Sequence, residues 1–123
     1  MKTILIDTNA LLAVVEWKID LMEELKKAYD FPFLIAVVEG TQEELGKIAR
    51  EGRGKEKRLA LLALALLQAK LIPHLPGKGN VDKVLIQYSK KGYLVLTQDR
   101  ELKKKLMKPY LTIRQKRRIL VNS

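Results

Sequence analysis

An α/β fold, with three layers around a central, mainly parallel five-stranded sheet, is what this 123-residue sequence predicts. Three observations carry that expectation. Short aliphatic runs recur along the chain, helical stretches separate them, and two of the runs stop abruptly at an aspartate.

Taken in order, residues 2–7 alternate and then saturate with aliphatic side chains, which suits a buried strand. Residues 9–16 form a short helix, and "IDLMEELKKAY" (19–29) a second, with Leu21, Met22 and Leu25 at helical spacing. "FPFLIAVV" (31–38) is another buried strand, with Pro32 at its start, where a missing N–H is tolerated. Residues 40–51 read as a helix ending near Gly52. "KEKRLALLALALLQAK" (55–70) is a helix that is apolar on most of its circumference and is expected to be largely covered. "LIPHL" (71–75) is a short strand interrupted by Pro73. After the turn "PGKGN", residues 81–91 make a helix, "GYLVLTQ" (92–98) a strand, and 99–108 a helix. "YLTIR" (110–114) is the fifth strand, and "RILVNS" adds an edge strand or a tail. No repeat or linker breaks the pattern, so 1–123 is read as one domain with a basic segment at 103–118.

Composition narrows the chemistry. With 47% hydrophobic and 31% charged residues, the chain is expected to fold as a globular protein rather than remain disordered. It has no cysteine and one histidine, His74, which excludes disulfides, thiolate metal sites and multi-histidine zinc sites. Its first residues read as a strand rather than a signal peptide, and Leu59–Leu67 is too short to span a bilayer. A cytoplasmic location with no membrane partner is the expectation.

Twenty-four Lys and Arg against fourteen Asp and Glu give a net charge of +10, which favours a polyanionic partner such as RNA. The excess is clustered. Lys103, Lys104, Lys105, Lys108, Arg114, Lys116, Arg117 and Arg118 share one stretch with no acid in it. A second group, Arg53, Lys55, Lys57 and Arg58, surrounds "EGRGKEKR". Of these, Arg53, Lys55, Lys103, Lys104, Lys105, Arg114, Lys116, Arg117 and Arg118 are the candidates for contact with an RNA backbone. The competing reading is a solvated basic surface. "GRGK" at 52–55 lacks the spacing of a phosphate loop. Trp17 is either a base-stacking platform or, by a factor of about two, a half-buried anchor.

Four acids fall at strand ends and helix starts. Asp7 and Asp99 follow strands directly, while Glu44 and Asp82 lie in the first turns of helices. In an open parallel sheet, ligands bind beyond the carboxyl ends of the strands, where strand order reverses. If the first strand and "YLVLT" are central neighbours, Asp7 and Asp99 emerge there side by side and the other two lean in. Each also has a structural reading. Asp7, Thr8 and Asp99 suit helix caps, Thr41–Glu44 matches a capping box, and Asn80 is a good cap ahead of Asp82. Together, four like charges in one crevice make chemical sense when a divalent cation neutralises them, and carboxylate oxygens suit Mg²⁺ or Mn²⁺. Glu101 is the one further acid close enough in sequence to assist.

"ILIDTNALL", "TQEELGKIA", "NVDKVLIQYSKKG" and "YLVLTQDRELKKKL", in this order, resemble the PIN-domain family, and the likeness runs from about residue 3 to 106. "EGRGKEKRLALLAL" and "IRQKRRILV" are most similar to archaeal stand-alone PIN proteins related to ribosomal-RNA-processing nucleases. The resemblance implies a Mg²⁺- or Mn²⁺-dependent endoribonuclease, with Asp7, Glu44, Asp82 and Asp99 as metal-binding and catalytic acids. Asn9 and Thr97 occupy positions suited to orienting them. It implies RNA of the ribosomal or transfer class as substrate, and a role in ribosomal-RNA processing. Two alternatives stand beside it. One is a VapC-type toxin held by an antitoxin; the other is a catalytically weak RNA-binding module among ribosome-assembly factors. Monomer and homodimer are both left open. Lys83 and Gln98 depart from the family pattern, which often has an acid and an asparagine there.

Overall fold

The computed structural model describes residues 1–123. In chain order it contains β1 (Lys2–Ile6), α1 (Thr8–Glu16), α2 (Leu21–Ala28), β2 (Phe33–Val38), α3 (Glu39–Glu51) and α4 (Gly54–Ala69). Then come β3 (His74–Leu75), α5 (Val81–Lys90), β4 (Leu94–Leu96), α6 (Arg100–Lys105), β5 (Tyr110–Arg114) and β6 (Arg118–Asn122). The strands form one sheet in the order β3-β2-β1-β4-β5-β6, with only β6 antiparallel to its neighbour. Six strands replace the expected five. The closing residues pair with β5 from Tyr110↔Asn122 to Arg114↔Arg118, closing a hairpin through Gln115 and Lys116 at φ 56° and 58°. Two consecutive left-handed residues give the turn a twist that matches the strands.

The fully apolar run of β1 has a direct cause. Ile4 and Ile6 enter the larger of two hydrophobic clusters, while Leu5 faces the smaller one on the other side of the sheet. A strand buried on both faces has no polar side to show. β3 is short because Pro73 has no N–H to offer. Its carbonyl still accepts from the Val37 N–H at 3.0 Å.

Two expectations need correction. α4 is not largely covered: it buries Ala60, Ala63 and Leu67, while Leu61 and Leu62 stand about half exposed at 51% and 49%. Its small-residue face packs on the rest of the fold and leaves the leucine-rich side outward. The Thr41–Glu44 capping box is absent, because α3 begins earlier, at Glu39, with Val38 in the cap position. Met22 likewise faces outward, whereas Leu21 and Leu25 are buried. No helix is long and apolar enough to cross a membrane.

After β1 the chain adds β2 and β3 on one side, then returns to lay β4 and β5 on the other. The reversal of strand order therefore falls between β1 and β4, whose register runs Ile4↔Leu94 to Ile6↔Leu96. A crevice opens at the carboxyl ends of these two strands. Asp7 and Thr97 each come one residue after the strand that delivers them.

Candidate acidic site at the strand-order reversal

Asp7 follows β1 in the N-cap position of α1, yet its side chain makes no cap hydrogen bond. It is 4% exposed, and its Oδ2 accepts instead from the Thr97 hydroxyl at 2.7 Å. Thr97 Oγ1 in turn accepts from the Asp99 N–H at 3.1 Å. The strand that neighbours β1 thus grips the carboxylate through a fully buried threonine.

Glu44 reaches the same place from α3. Its Oε1 accepts from the Thr8 hydroxyl at 2.6 Å, and the buried Thr41 hydroxyl lies 3.0 Å from Thr8 Oγ1. Thr8 has one hydroxyl proton, so giving it to Glu44 leaves Thr41 as donor to Thr8. Asp82 arrives on the first turn of α5, whose start is fixed by the Asn80 side chain accepting from the Lys83 N–H at 3.0 Å.

These groups line one cavity of about 370 Å³, in which Asp7, Glu44 and Asp82 are the acids, and Asn9, Lys47 and Asn80 further polar residues. Burial pushes the Asp7 carboxyl up to about 6 from an ordinary 3.8; the charges of Asp82 and Glu44 push it the same way, and the Thr97 hydroxyl and Thr8 N–H oppose them. Three carboxylates facing one hollow, one of them hard to ionise, is a site whose chemistry asks for a positive ligand. As they stand, no three acids are close enough to share one ion, so a cation would have to draw them together.

Asp99 is turned elsewhere. Its backbone N–H is tied to Thr97 beside Asp7, but its Oδ1 accepts from the Glu101 and Leu102 N–H groups at 2.8 and 3.1 Å, capping α6. It does not line the cavity. Joining an ion there requires exchanging both cap bonds. Glu101 is exposed and pairs with Lys104 at 3.3 Å. Asn9 lines the cavity but makes no hydrogen bond to the acids. Lys83 is outside it, so the departure at that position removes an acid next to Asp82 without placing a lysine in the hollow.

Gln98 shows why its own departure is accommodated. The Ile113 N–H donates to its Oε1 at 2.7 Å, and its Nε2 donates to the Ile113 carbonyl at 3.3 Å. The side-chain amide thus continues the β4–β5 ladder past Thr97, whose N–H pairs with the Leu111 carbonyl at 3.1 Å.

The basic residues are spread wider than the acids. Because β5 runs parallel to β4, Arg114 and its turn lie at the same sheet edge as Asp7. Arg114 and Arg118 face each other directly across the hairpin, an arrangement of like charges that favours a polyanion nearby. Arg118 donates to the Gln115 Oε1 at 2.9 Å, and Lys116 lies over the Trp17 ring at 5.7 Å. Trp17 itself is half-buried against the larger cluster, which makes it an anchor. Lys103 donates to Thr112 Oγ1 at 3.3 Å, and burial, with Arg114 and Arg100 nearby, holds its ammonium below the usual lysine range. Lys55 pairs with Glu16. Lys105, Arg117 and Arg53 are exposed, the last in the cap position of α4.

Sequence reasoning missed Lys47, and saw Thr8 and Thr41 only as caps. Helical spacing held the signal: Thr41, Glu44 and Lys47 stand three apart and share one face of α3.

Similarity to characterised proteins agrees with this architecture. Ribonuclease VapC4 of Methanocaldococcus jannaschii is 34% identical over 125 residues, covering 95% of this chain and 94% of that one. Ribonuclease VapC9 of Archaeoglobus fulgidus is 36% identical over 101 residues, covering 81% and 72%. The solved PIN domain endonuclease Utp24 superposes with a TM-score of 0.78 over 98% of this chain and 90% of its own, at 24% identity, a likeness of fold. Residues 4–118 match the family described as PIN like domain, and with that span and those relatives the chain belongs to the PIN-domain family.

Proposed function

We propose that this protein is a divalent-metal-dependent endoribonuclease that cleaves RNA phosphodiester bonds at the β1–β4 crevice. The observation that carries the reading is Asp7: a buried carboxylate that leaves its own helix uncapped and faces the cavity with Glu44 and Asp82. Relatives named as ribonucleases, across nearly the whole chain, support it.

The donor set fits Mg²⁺ or Mn²⁺, since it offers carboxylate oxygens and neither imidazole nor thiolate. Asp7, Glu44 and Asp82 would hold the ion, with Asp99 as a fourth ligand if its cap bonds open. When bound, such an ion makes water nucleophilic at neutral pH and offsets charge on a phosphate. The chain's own groups do the rest. Thr97 orients the Asp7 carboxylate, and the Thr41–Thr8 pair orients Glu44, so both acids face the cavity before a cation draws them together. Lysines and arginines at the same sheet edge hold neighbouring phosphates.

Cleavage of single-stranded RNA with Mn²⁺, with EDTA, and by Asp7→Asn with Mn²⁺ tests this. Activity only in the first supports the proposal. Equal activity in Asp7→Asn removes the cavity from the chemistry. Ribosomal RNA is the first natural substrate to examine. A VapC-type toxin is the second reading, favoured by the names of both relatives. Growth arrest on expression, relieved by Asp7→Asn and by a small co-expressed partner, would select it.

A further inference from the structure

One basic residue, Lys47, lines the acidic cavity. It lies three residues beyond Glu44 on α3, one turn along the same face. It shares that lining with three carboxylates, yet it forms no ion pair: the four ion pairs of the chain use Lys27 twice, Lys55 and Lys104. Glu44, its nearest acid in sequence, is oriented through Oε1 by the Thr8 hydroxyl. An unpaired ammonium among oriented carboxylates is available to an anionic ligand. With Asp7, Glu44 and Asp82 ionised and Lys47 protonated, the cavity's formal charge is that of three anions and one cation, which one divalent ion balances and two would exceed.

We propose that Lys47 is the phosphate-binding residue of the cleavage site, holding a non-bridging oxygen of the scissile phosphate. It supplies the charge that a second metal ion provides in two-ion sites. The inference rests on the ribonuclease reading above. A lysine suits the role because its compact charge follows a phosphate without demanding bidentate geometry. Its place in the cavity wall, though exposed to solvent, separates it from the lysines and arginines outside that lining, which hold flanking phosphates.

The test compares wild type, Lys47→Met, Lys47→Arg and Asp7→Asn on a fluorescein-labelled single-stranded RNA. It reads kcat and KM with Mn²⁺, the Mn²⁺ concentration for half-maximal rate, and RNA affinity against salt in EDTA. Lys47→Met should lose about 100-fold in kcat, the scale for removing a charge-stabilising group, and Lys47→Arg should recover most of it. In EDTA the salt slope of Lys47→Met should fall by about 0.7, the value for one neutralised phosphate on a single strand. Its Mn²⁺ requirement should drop, because a repelling charge has left the cavity. An unchanged kcat in Lys47→Met, with Asp7→Asn inactive, overturns the role of Lys47 and leaves the site intact. A lower kcat with weaker Mn²⁺ binding and an unchanged salt slope also overturns it, marking Lys47 as a counter-ion that only shapes the cavity. Full activity in Asp7→Asn would instead place the failure in the ribonuclease reading itself.

Discussion

Asp7 and Asp99 begin from the same grammar and end with different roles. Each follows a central strand, each stands in the N-cap position of the next helix, and their strands are neighbours. Asp99 gives its carboxylate to two backbone N–H groups of α6. Asp7 makes no such cap bond; it is buried, held by Thr97 and pushed up to about 6. A cap satisfies its charge locally, in a geometry any short helix can offer. A carboxylate kept from its own helix, at the reversal of strand order, retains its charge for something that binds from outside.

The two aspartates should differ most in their effect on rate. Asp7→Asn should lower RNA cleavage by a factor of about 10²–10³ or more, while Asp99→Asn, which keeps a capping oxygen, should cost about tenfold or less. Equal large losses in both would mean that the Asp99 cap bonds open and its carboxylate joins the ion.

Stability should divide the two aspartates in the opposite sense. The folded-state value of Asp7 lies above the ordinary 3.8, so the native chain holds that proton more tightly than the unfolded one. Its burial penalty is absent below about pH 4, grows between about 4 and 6, and is complete above, at roughly 2–3 kcal/mol. Asparagine carries no such penalty. Asp7→Asn should therefore melt close to wild type near pH 4 and above it at pH 8, whereas Asp99→Ala should lose about 1 kcal/mol at both. Thermal denaturation in metal-free buffer at the two pH values decides this.

Thr97→Val sharpens the contrast further. Losing the hydroxyl that favours ionised Asp7 should raise that carboxyl above about 6 and move the acid limb of the pH–rate profile up by about one unit. An unmoved limb would assign the limb to another group.

Much of this was legible in the sequence, and what was not has physical causes. β1, β2 and β4 are short aliphatic runs bounded by turn and helix signals, and their alternation with helices pointed to a mainly parallel sheet, in which the β1–β4 adjacency was a supposition. Asp7, Glu44 and Asp82 were placed near one another because helix starts after parallel strands share one edge. Periodicity could not say which way a carboxylate turns, so Asp99 looked equivalent to Asp7. The outward leucines of α4 were unreadable for a related reason: an apolar circumference does not reveal which neighbours exist to cover it. The sixth strand was ambiguous because a turn of Gln115 and Lys116 lacks the glycine that usually marks such hairpins.

The smallest expected effects lie among exposed basic residues outside the cavity lining. Changing Lys105 and Arg117 to Gln should lower the salt slope of RNA binding by about 0.7 for each phosphate no longer neutralised, with no change in the Mn²⁺ requirement. Parallel salt lines would show that these side chains serve solubility alone.

Whether Asp7 holds its charge for an external cation is read from its own titration. Carboxyl carbon shifts, followed by NMR on the wild-type protein without RNA, give that titration. An Asp7 midpoint near 6 is expected in metal-free buffer, falling markedly with saturating Mg²⁺. An Asp7 midpoint near 3.8 that ignores Mg²⁺ would contradict it.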